Sequence, residues 1–307
     1  MNDKVFAQLG KNGRMPLIGF GTYLISNEDV TPLVSQAIHA GYRHIDTAEG
    51  YDNEAGVGTA VQATMNELNL HREELFVTTK LWPGNAAWGQ TPRNYGTTIE
   101  ALDQSLARLQ LAYVDLYLIH APVSQAERLD QWRGLVELQQ QGKAKAIGVS
   151  NYSIDHIEEI KAAGLPLPQA NQIELHPWSQ KPELTAYLAN HAITAIAYSS
   201  LVPLSTWRIA AGQDSAKTEA MKADGASQDS PFKQMAQKYG ISEAQLLLRW
   251  GVQKGYPVLP KSSNPERVKK NIDLFSFTIN DADMKLIATM DRGDGVAWSI
   301  GDPTKFA

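Results

Sequence analysis

Short apolar runs alternate with longer segments of helical spacing along almost the whole chain. The short runs are rich in β-branched and aromatic residues and have the length of buried strands. Eight of them occur, at 17–22, 43–47, 75–81, 114–120, 144–150, 170–175, 194–200 and 256–261. Amphipathic helical spacing is found at 29–40, 97–109, 125–141, 153–163, 181–190 and 242–254. This rhythm predicts repeated strand–helix units around a parallel sheet, and therefore an α/β protein.

The number of these units favours a closed barrel over an open sheet, since eight fit a chain of 307 residues. We predict a (β/α)8 TIM barrel that occupies residues 1–307 as a single domain. The turn signal Lys11-Asn12-Gly13 precedes the first strand and predicts an N-terminal β-hairpin that closes the base of the barrel. The connections 82–92 and 202–231 are long, and we expect them at the C-terminal face as lids or binding loops.

Composition excludes several classes of protein. The formal net charge is −5 with both signs mixed along the chain, so no basic face for a nucleic acid is expected. The chain contains no cysteine, which excludes disulfides and thiolate chemistry. No apolar run has the length of a membrane span, and no signal peptide is visible, so a cytoplasmic protein without membrane partners is expected. We expect a monomer or a weak dimer.

Polar side chains at the predicted strand ends are the first candidates for chemistry, because barrel enzymes work at that face. Asp46, Lys80 and His120 end three consecutive strands, and Tyr51 follows in the loop after Asp46. Each alone has an ordinary structural explanation, as a loop carboxylate, a solvated charge, a core imidazole or a half-buried aromatic. Their convergence on one cavity predicts an acid/base site with these four as catalytic residues.

The four residue types suit carbonyl reduction. A nearby ammonium lowers the pKa of a tyrosine, so Lys80 is expected to tune Tyr51 as a proton donor, with Asp46 holding Lys80 charged. His120 can donate a hydrogen bond to a substrate oxygen. No side chain supplies a hydride, so a cofactor is required.

Later strand ends offer groups for a nicotinamide cofactor. Ser150, Asn151 and Gln172 can hydrogen-bond a carboxamide, and Tyr198 offers a flat face for a ring. The last strand leads through polar residues into a helix that begins near Pro265, which predicts an anion site; its members are Lys261, Ser262, Ser263 and Arg267. A merely well-capped helix is the alternative. No GxGxxG motif follows any of the strands, so an ordinary Rossmann site is absent.

Several motifs in one order resemble the aldo-keto reductase superfamily, and among its members the bacterial and fungal reductases of the 2,5-diketo-D-gluconate type. They are GFGTY from Gly19, GYRHIDTAEGYDNE from Gly41, TTKLW from Thr78, VDLYLIHAP from Val114, GKAKAIGVSNY from Gly142, QANQIELHP from Gln169 and LPKSSNPERVKKN from Leu259. The resemblance implies NADPH-dependent reduction of an aldehyde or ketone to an alcohol. Tyr51 would give the proton, and the nicotinamide would give the hydride.

The resemblance also implies cofactor contacts. Ser150, Asn151 and Gln172 would hold the carboxamide and Tyr198 would stack on the ring. The remaining expected cofactor residues are Gly21, Thr22 and Tyr23 from the first motif, Ser199 and Leu201 at the pyrophosphate, and Lys261, Ser262, Ser263, Arg267 and Asn271 at the adenosine and its 2′-phosphate. The long loop from Val202 would fold over the pyrophosphate. Lys270 stands where many relatives have Glu.

The substrate pocket departs from many relatives. Ala121 follows His120 where many have Trp, which predicts a more open wall. The segment after Trp82 is extended, and its Trp88 either enters the pocket or packs the loop down. The expected walls are Tyr23, Trp82, Ala121, Trp178 and Trp298. No histidine spacing indicates a metal.

Two other functions remain open from the residues. Lys80 could form a Schiff base, as in barrel aldolases, although a neighbouring Asp46 would keep the amine charged. A cofactor-binding regulatory subunit is the second alternative. The presence of all four predicted catalytic residues argues against it.

Overall fold

The computed structural model describes residues 5–11, 13–204, 230–293, 295, 297–298 and 301–306. Its strands are β1 Phe6–Leu9, β2 Gly13–Pro16, β3 Phe20–Gly21, β4 His44–Asp46, β5 Phe76–Leu81, β6 Val114–Ile119, β7 Ala144–Ser150, β8 Ala170–Glu174 and β9 Thr194–Tyr198. Its α-helices are α1 Asn27–His39, α2 Glu54–Leu68, α3 Tyr95–Leu109, α4 Arg128–Gln140, α5 Ile154–Ala162, α6 Pro182–Asn190, α7 Pro231–Tyr239, α8 Glu243–Gln253, α9 Pro265–Ile272 and α10 Asp281–Ala288. Most of the predicted loop 202–231 lies outside the described residues.

Seven strands, β3 to β9, form one parallel sheet in chain order. The eighth predicted strand is reduced to a bridge at Val258, which pairs in parallel with both Ile18 and Ala197. The Val258 N–H donates to the Leu17 carbonyl at 2.9 Å, and the Ala197 N–H donates to the Pro257 carbonyl at 2.7 Å. The segment around Val258 therefore joins β9 to the start of the sheet, as the predicted (β/α)8 barrel requires.

The N-terminal hairpin lies where the sequence predicts it. Strands β1 and β2 pair antiparallel, with Leu9 opposite Gly13. The Thr194 hydroxyl donates to the Gln8 carbonyl at 2.6 Å. Because Thr194 opens β9, this contact places the hairpin at the N-terminal end of the barrel strands, opposite the expected active-site face.

Local sequence signals explain where most helices begin. Ser26, Asn94, Ser153 and Ser242 cap α1, α3, α5 and α8, each accepting a hydrogen bond from a backbone N–H of the first turn. Apolar inner faces of these helices join the strands in one large core cluster. The sequence analysis did not predict α2, α7 or α10.

A second core cluster joins α7, α8 and α10, and its largest members are Trp178, Phe232 and Trp250. Among the described residues, no helix is long and apolar enough to cross a membrane.

Candidate active site

Three adjacent strands bring the predicted catalytic residues together. Asp46 ends β4, Lys80 is the penultimate residue of β5, and His120 directly follows β6. These strands are neighbours in the sheet, and the His120 N–H donates to the Leu81 carbonyl at 3.0 Å. Tyr51 ends a 3-10 turn, Glu49–Tyr51, in the connection after β4. All four side chains thus reach the same mouth of the barrel.

Lys80 is the centre of the cluster. Its side chain is 0% exposed, and its ammonium lies 2.6 Å from Asp46 Oδ1. The ammonium also donates to the Thr47 carbonyl at 2.8 Å and to the Tyr51 hydroxyl at 3.3 Å. A buried lysine with three oxygen neighbours has every N–H hydrogen-bonded, so its charge is stabilised by the protein instead of by water.

The balance of burial and charge sets the protonation state of this pair. Burial alone would lower the pKa of Lys80, but Asp46 and then Tyr51 raise it, and the net direction is upward. Burial raises the pKa of Tyr51, and Lys80 only partly opposes that shift. Lys80 thus acts in the expected direction, but the net direction of the pKa of Tyr51 is upward. The physical reason is that burial disfavours the phenolate and that Asp46 offsets part of the lysine's field.

His120 is neutral in this surrounding. Burial, and then the charge of Lys80, holds the pKa of His120 well below its usual value. Its ring makes an edge contact with Tyr51 at a centroid separation of 5.4 Å. Its buried Nδ1 has no hydrogen-bond partner in the described part of the chain. A neutral imidazole beside a protonated phenol gives two hydrogen-bond donors at one place.

The predicted carboxamide-binding residues form one hydrogen-bonded group at the ends of β7 and β8. The Ser150 hydroxyl donates to the Gln172 carbonyl at 2.7 Å, and Asn151 Nδ2 donates to Ser150 Oγ at 3.1 Å. The Tyr198 hydroxyl donates to Asn151 Oδ1 at 2.7 Å. The Gln172 side chain turns to the predicted catalytic residues, where Nε2 donates to Asp46 Oδ2 at 2.8 Å. Gln172 therefore links the predicted carboxamide-binding residues to the predicted acid/base residues.

Two of the predicted cofactor residues have unusual backbone conformations. Asn151 has φ +65° and Ser199 has φ +54°, both in the left-handed region. Non-glycine residues rarely adopt this conformation, and those that do are concentrated at functional sites. Leu201 is half-buried and packs between both core clusters.

The predicted anion site surrounds the start of α9. Asn264 caps this helix through a hydrogen bond from the Arg267 N–H at 3.1 Å, and the Asn264 N–H donates to the Ser262 hydroxyl at 3.1 Å. Lys261, Ser263 and Arg267 are exposed, whereas Ser262 and Asn271 are buried. Two exposed cationic side chains therefore lie beside a helix N-terminus.

Residues of the GFGTY motif contact Asp46 and Tyr51 from β3 and the connection that follows it. The Thr22 hydroxyl donates to the Asp46 carbonyl at 3.1 Å. Gly21 pairs with Asp46 across β3 and β4, and a Cβ there would lie 3.0 Å from the Leu259 carbonyl oxygen. The Tyr23 ring is half exposed and lies 5.1 Å from the Tyr51 ring.

The predicted pocket walls separate into two groups. The rings of Trp82 and Trp298 contact the His120 ring edge-on, with centroid separations of 5.6 and 6.4 Å. Trp178 instead packs in the second core cluster, with the Arg292 guanidinium 3.8 Å from its ring centroid. Ala121 is fully buried.

Sequence reasoning missed two groups that hold the site. Asn53 is fully buried, and its amide donates to the Thr22 and Ile25 carbonyls at 2.9 Å while its oxygen accepts from the Thr47 hydroxyl at 2.8 Å. The Glu49 carboxylate pairs with Arg93 across two loops. In the sequence, the structural role of Asn53 is indicated only by its position in the motif GYDNE, next to Tyr51 and Asp52.

No group of three or more potential metal ligands is found among the residues that the structure describes.

The sequence pattern of the Aldo/keto reductase family matches residues 17–292, which is most of the chain. The chain belongs to this family. Methylglyoxal reductase DkgA of Salmonella typhimurium is 36% identical over 307 residues, covering 100% of this chain and 99% of that protein. The glyoxal reductase of Bacillus subtilis is 36% identical over 283 residues, covering 92% of this chain and 91% of that protein.

Solved structures agree with this assignment. An aldo-keto reductase from Bombyx mori in complex with NADP superposes with a TM-score of 0.81 at 32% identity, covering 94% of this chain and 92% of that one. An aldo/keto reductase from Brucella melitensis gives a TM-score of 0.78 at 37% identity, covering 93% of this chain and 99% of that one. The predicted fold and the predicted oxidoreductase class are confirmed.

Proposed function

We propose that this family member is an NADPH-dependent carbonyl reductase that converts aldehydes or ketones to alcohols, with Tyr51 as the proton donor. The observation that carries the proposal is the contact of a buried, charged Lys80 with the Tyr51 hydroxyl at 3.3 Å beside a neutral His120. The named activities of the two bacterial relatives, on methylglyoxal and glyoxal, support small aldehydes and dicarbonyls as the first substrate class to test.

Tyr51 acts on the substrate oxygen. Its raised pKa keeps the hydroxyl protonated at neutral pH, so a proton is available when negative charge develops on that oxygen. As the proton leaves, the Lys80 ammonium faces the new phenolate and stabilises it. Asp46 holds the ammonium in place through the 2.6 Å contact and is itself aligned by Gln172.

His120 orients the carbonyl. A neutral imidazole can donate one N–H to the substrate oxygen without adding a charge that would compete with Lys80. Trp82 and Trp298 contact its ring and restrict its orientation, because each lies edge-on to it. The substrate oxygen is therefore placed between two donors of fixed position.

The chain's residues fit a phosphorylated nicotinamide cofactor, which supplies a hydride when bound. The amide and hydroxyl groups of Ser150, Asn151 and Gln172 have the donors and acceptors that a carboxamide needs. Tyr198 would stack on the ring, and Lys261 and Arg267 would bind phosphate through exposed positive charges. The known NADP complex of the Bombyx mori protein supports the same choice of cofactor.

The Schiff-base alternative is disfavoured by the surroundings of Lys80. Imine formation requires a neutral amine with access to substrate. Lys80 is 0% exposed, and its pKa is raised by Asp46 and Tyr51 against the effect of burial.

The proposal is tested by following NADPH and NADH oxidation with a panel of aldehydes, ketones and dicarbonyls. We expect turnover with NADPH, and a loss of roughly 100- to 10,000-fold in kcat for Tyr51→Phe. Tyr95→Phe, at the exposed start of α3, is the matched control and should retain activity. Full activity of Tyr51→Phe would refute the mechanism, and NADPH binding without turnover on the whole panel would favour a regulatory subunit.

A further inference from the structure

The extended loop after β5 carries two tryptophans that stack on each other. The rings of Trp82 and Trp88 are nearly parallel, with an interplanar angle of 16° and a centroid separation of 6.0 Å. The Trp82 ring also lies edge-on to His120 at 5.6 Å. The pair therefore extends outward from the catalytic histidine as one aromatic surface.

The position of Trp82 is fixed at three points. Its backbone N–H donates to Glu49 Oε2 at 3.1 Å, and its carbonyl accepts from Arg93 Nε at 3.1 Å. Its indole Nε1 donates to Gln90 Oε1 at 2.9 Å. Because Glu49 and Arg93 also form an ion pair with each other, both backbone groups of Trp82 are held by one charged pair.

The rest of the loop is equally well held. Asn85 accepts hydrogen bonds from the backbone of residues 87, 88 and 90, so the turn that carries Trp88 is closed on itself. The Ser124 hydroxyl and Gln131 Nε2 both donate to the Pro83 carbonyl at 3.2 Å. Trp88 is thus presented on an ordered frame, which favours binding because little conformational entropy is lost.

Trp88 remains 45% exposed despite this frame. A large exposed aromatic ring beside an active site is a typical ligand-binding feature, since burying it against a ligand is favourable. The distance from the His120 ring to the Trp88 ring is no more than the two centroid separations, 5.6 and 6.0 Å, taken together. This upper limit brings Trp88 within reach of an aromatic group attached to a carbonyl at His120.

We propose that the Trp82–Trp88 surface is a binding subsite for the planar aromatic part of an aryl aldehyde or aryl ketone whose carbonyl oxygen lies at Tyr51 and His120. Trp88 is then a specificity-determining residue, and Glu49 and Arg93 are positioning residues that act through Trp82. This inference rests on the proposed reductase function.

The test compares kcat/KM for 2-naphthaldehyde with kcat/KM for methylglyoxal in the NADPH-loaded enzyme. In Trp88→Ala we expect the ratio of the two to fall roughly tenfold, the size expected for loss of one aromatic stack and its buried area. Trp88→Phe should restore a large part of the ratio because it keeps a stacking ring. Phe275→Ala, which removes an exposed ring on the connection after α9, is the matched control and should leave the ratio unchanged.

A binding measurement separates the subsite from the chemistry. The product alcohol 2-naphthalenemethanol, titrated calorimetrically into the protein with NADPH, should bind roughly tenfold more weakly to Trp88→Ala than to the parent. An unchanged ratio and an unchanged Kd in Trp88→Ala would overturn the subsite and leave Trp88 as a loop-packing residue. Absence of turnover on every carbonyl, with the Kd difference intact, would instead count against the proposed function alone.

Discussion

The Lys80–Asp46 pair offers the sharpest quantitative test of the structure. Lys80→Met removes a cation that is 0% exposed and leaves the nearly buried Asp46 carboxylate with Gln172 as its side-chain donor. Asp46→Asn leaves the ammonium buried without its counter-charge. Breaking a buried pair by removing one partner costs about 3–5 kcal/mol, because a charge stays in a low-dielectric interior.

The double variant Asp46→Asn, Lys80→Met should be much less unstable than the sum of the two single changes. No buried charge is left in it, so the remaining cost is the lost hydrogen bonds from Lys80 to the Thr47 carbonyl and to the Tyr51 hydroxyl, at roughly 1 kcal/mol each. A double-mutant cycle should therefore give a coupling free energy of about 3 kcal/mol or more.

Urea denaturation followed by tryptophan fluorescence measures the four unfolding free energies of this cycle. The exposed pair Asp130 and Arg133 on α4 supplies a control cycle, in which the coupling should be close to zero. If the single changes at Asp46 and Lys80 simply add in the double variant, then the two side chains do not form a charged pair in the folded protein. The mechanism drawn from their contact would fail with it.

Two further predictions concern pH and the extended loop. The kcat/KM for reduction should be constant between about pH 6 and 9. The reason is that burial raises the pKa of Tyr51 above its usual value and holds the pKa of His120 well below its usual value. A change of kcat/KM with a midpoint near pH 6.5 would contradict the burial of His120. Gly84→Ala should lower the thermal midpoint and the aryl selectivity, because Gly84 has φ +74° and a Cβ there would lie 2.3 Å from the Thr91 carbonyl oxygen. Gly89→Ala is its control, with φ +71° and open space around it, and should lower the midpoint less; equal effects would show that loop packing is not what Gly84 provides.

The convergence of the four proposed catalytic residues could be predicted because it depends only on strand order. Parallel strands end at one rim, so polar residues at the ends of neighbouring strands must lie close together. Asp46, Lys80 and His120 needed no knowledge of side-chain conformation to be grouped. The same holds for Ser150 and Gln172, which lie opposite each other across β7 and β8.

What the sequence could not give is the choice among several possible partners. Only the folded arrangement shows that the Gln172 amide donates to Asp46. The sign of the shift at Tyr51 depends on the extent of burial against the field of Lys80, which no spacing reveals. Ala121 is fully buried, and the more open wall expected there stays a prediction.

Contacts between loops are the second feature that the sequence did not predict. Glu49 and Arg93 are 44 residues apart, in connections whose conformations follow from no periodic pattern. Asn53 ties together carbonyls of residues that lie more than 25 positions before it. Such polar contacts depend on the loops' exact paths, and these paths depend on turns and caps that many sequences can satisfy.

The Glu49 contact also indicates how the loop and the chemistry are connected. Glu49 and Tyr51 belong to one 3-10 turn, so the residue that holds the Trp82 backbone and the proposed proton donor are fixed to the same short segment. Lys80, in contrast, is held by Asp46, and both of these residues lie on strands of the sheet. Substitutions in the loop can therefore alter the aromatic surface and the placement of Tyr51 together, while the charge that tunes Tyr51 stays in place. A barrel with this arrangement can change its substrate by loop variation without rebuilding its acid/base group.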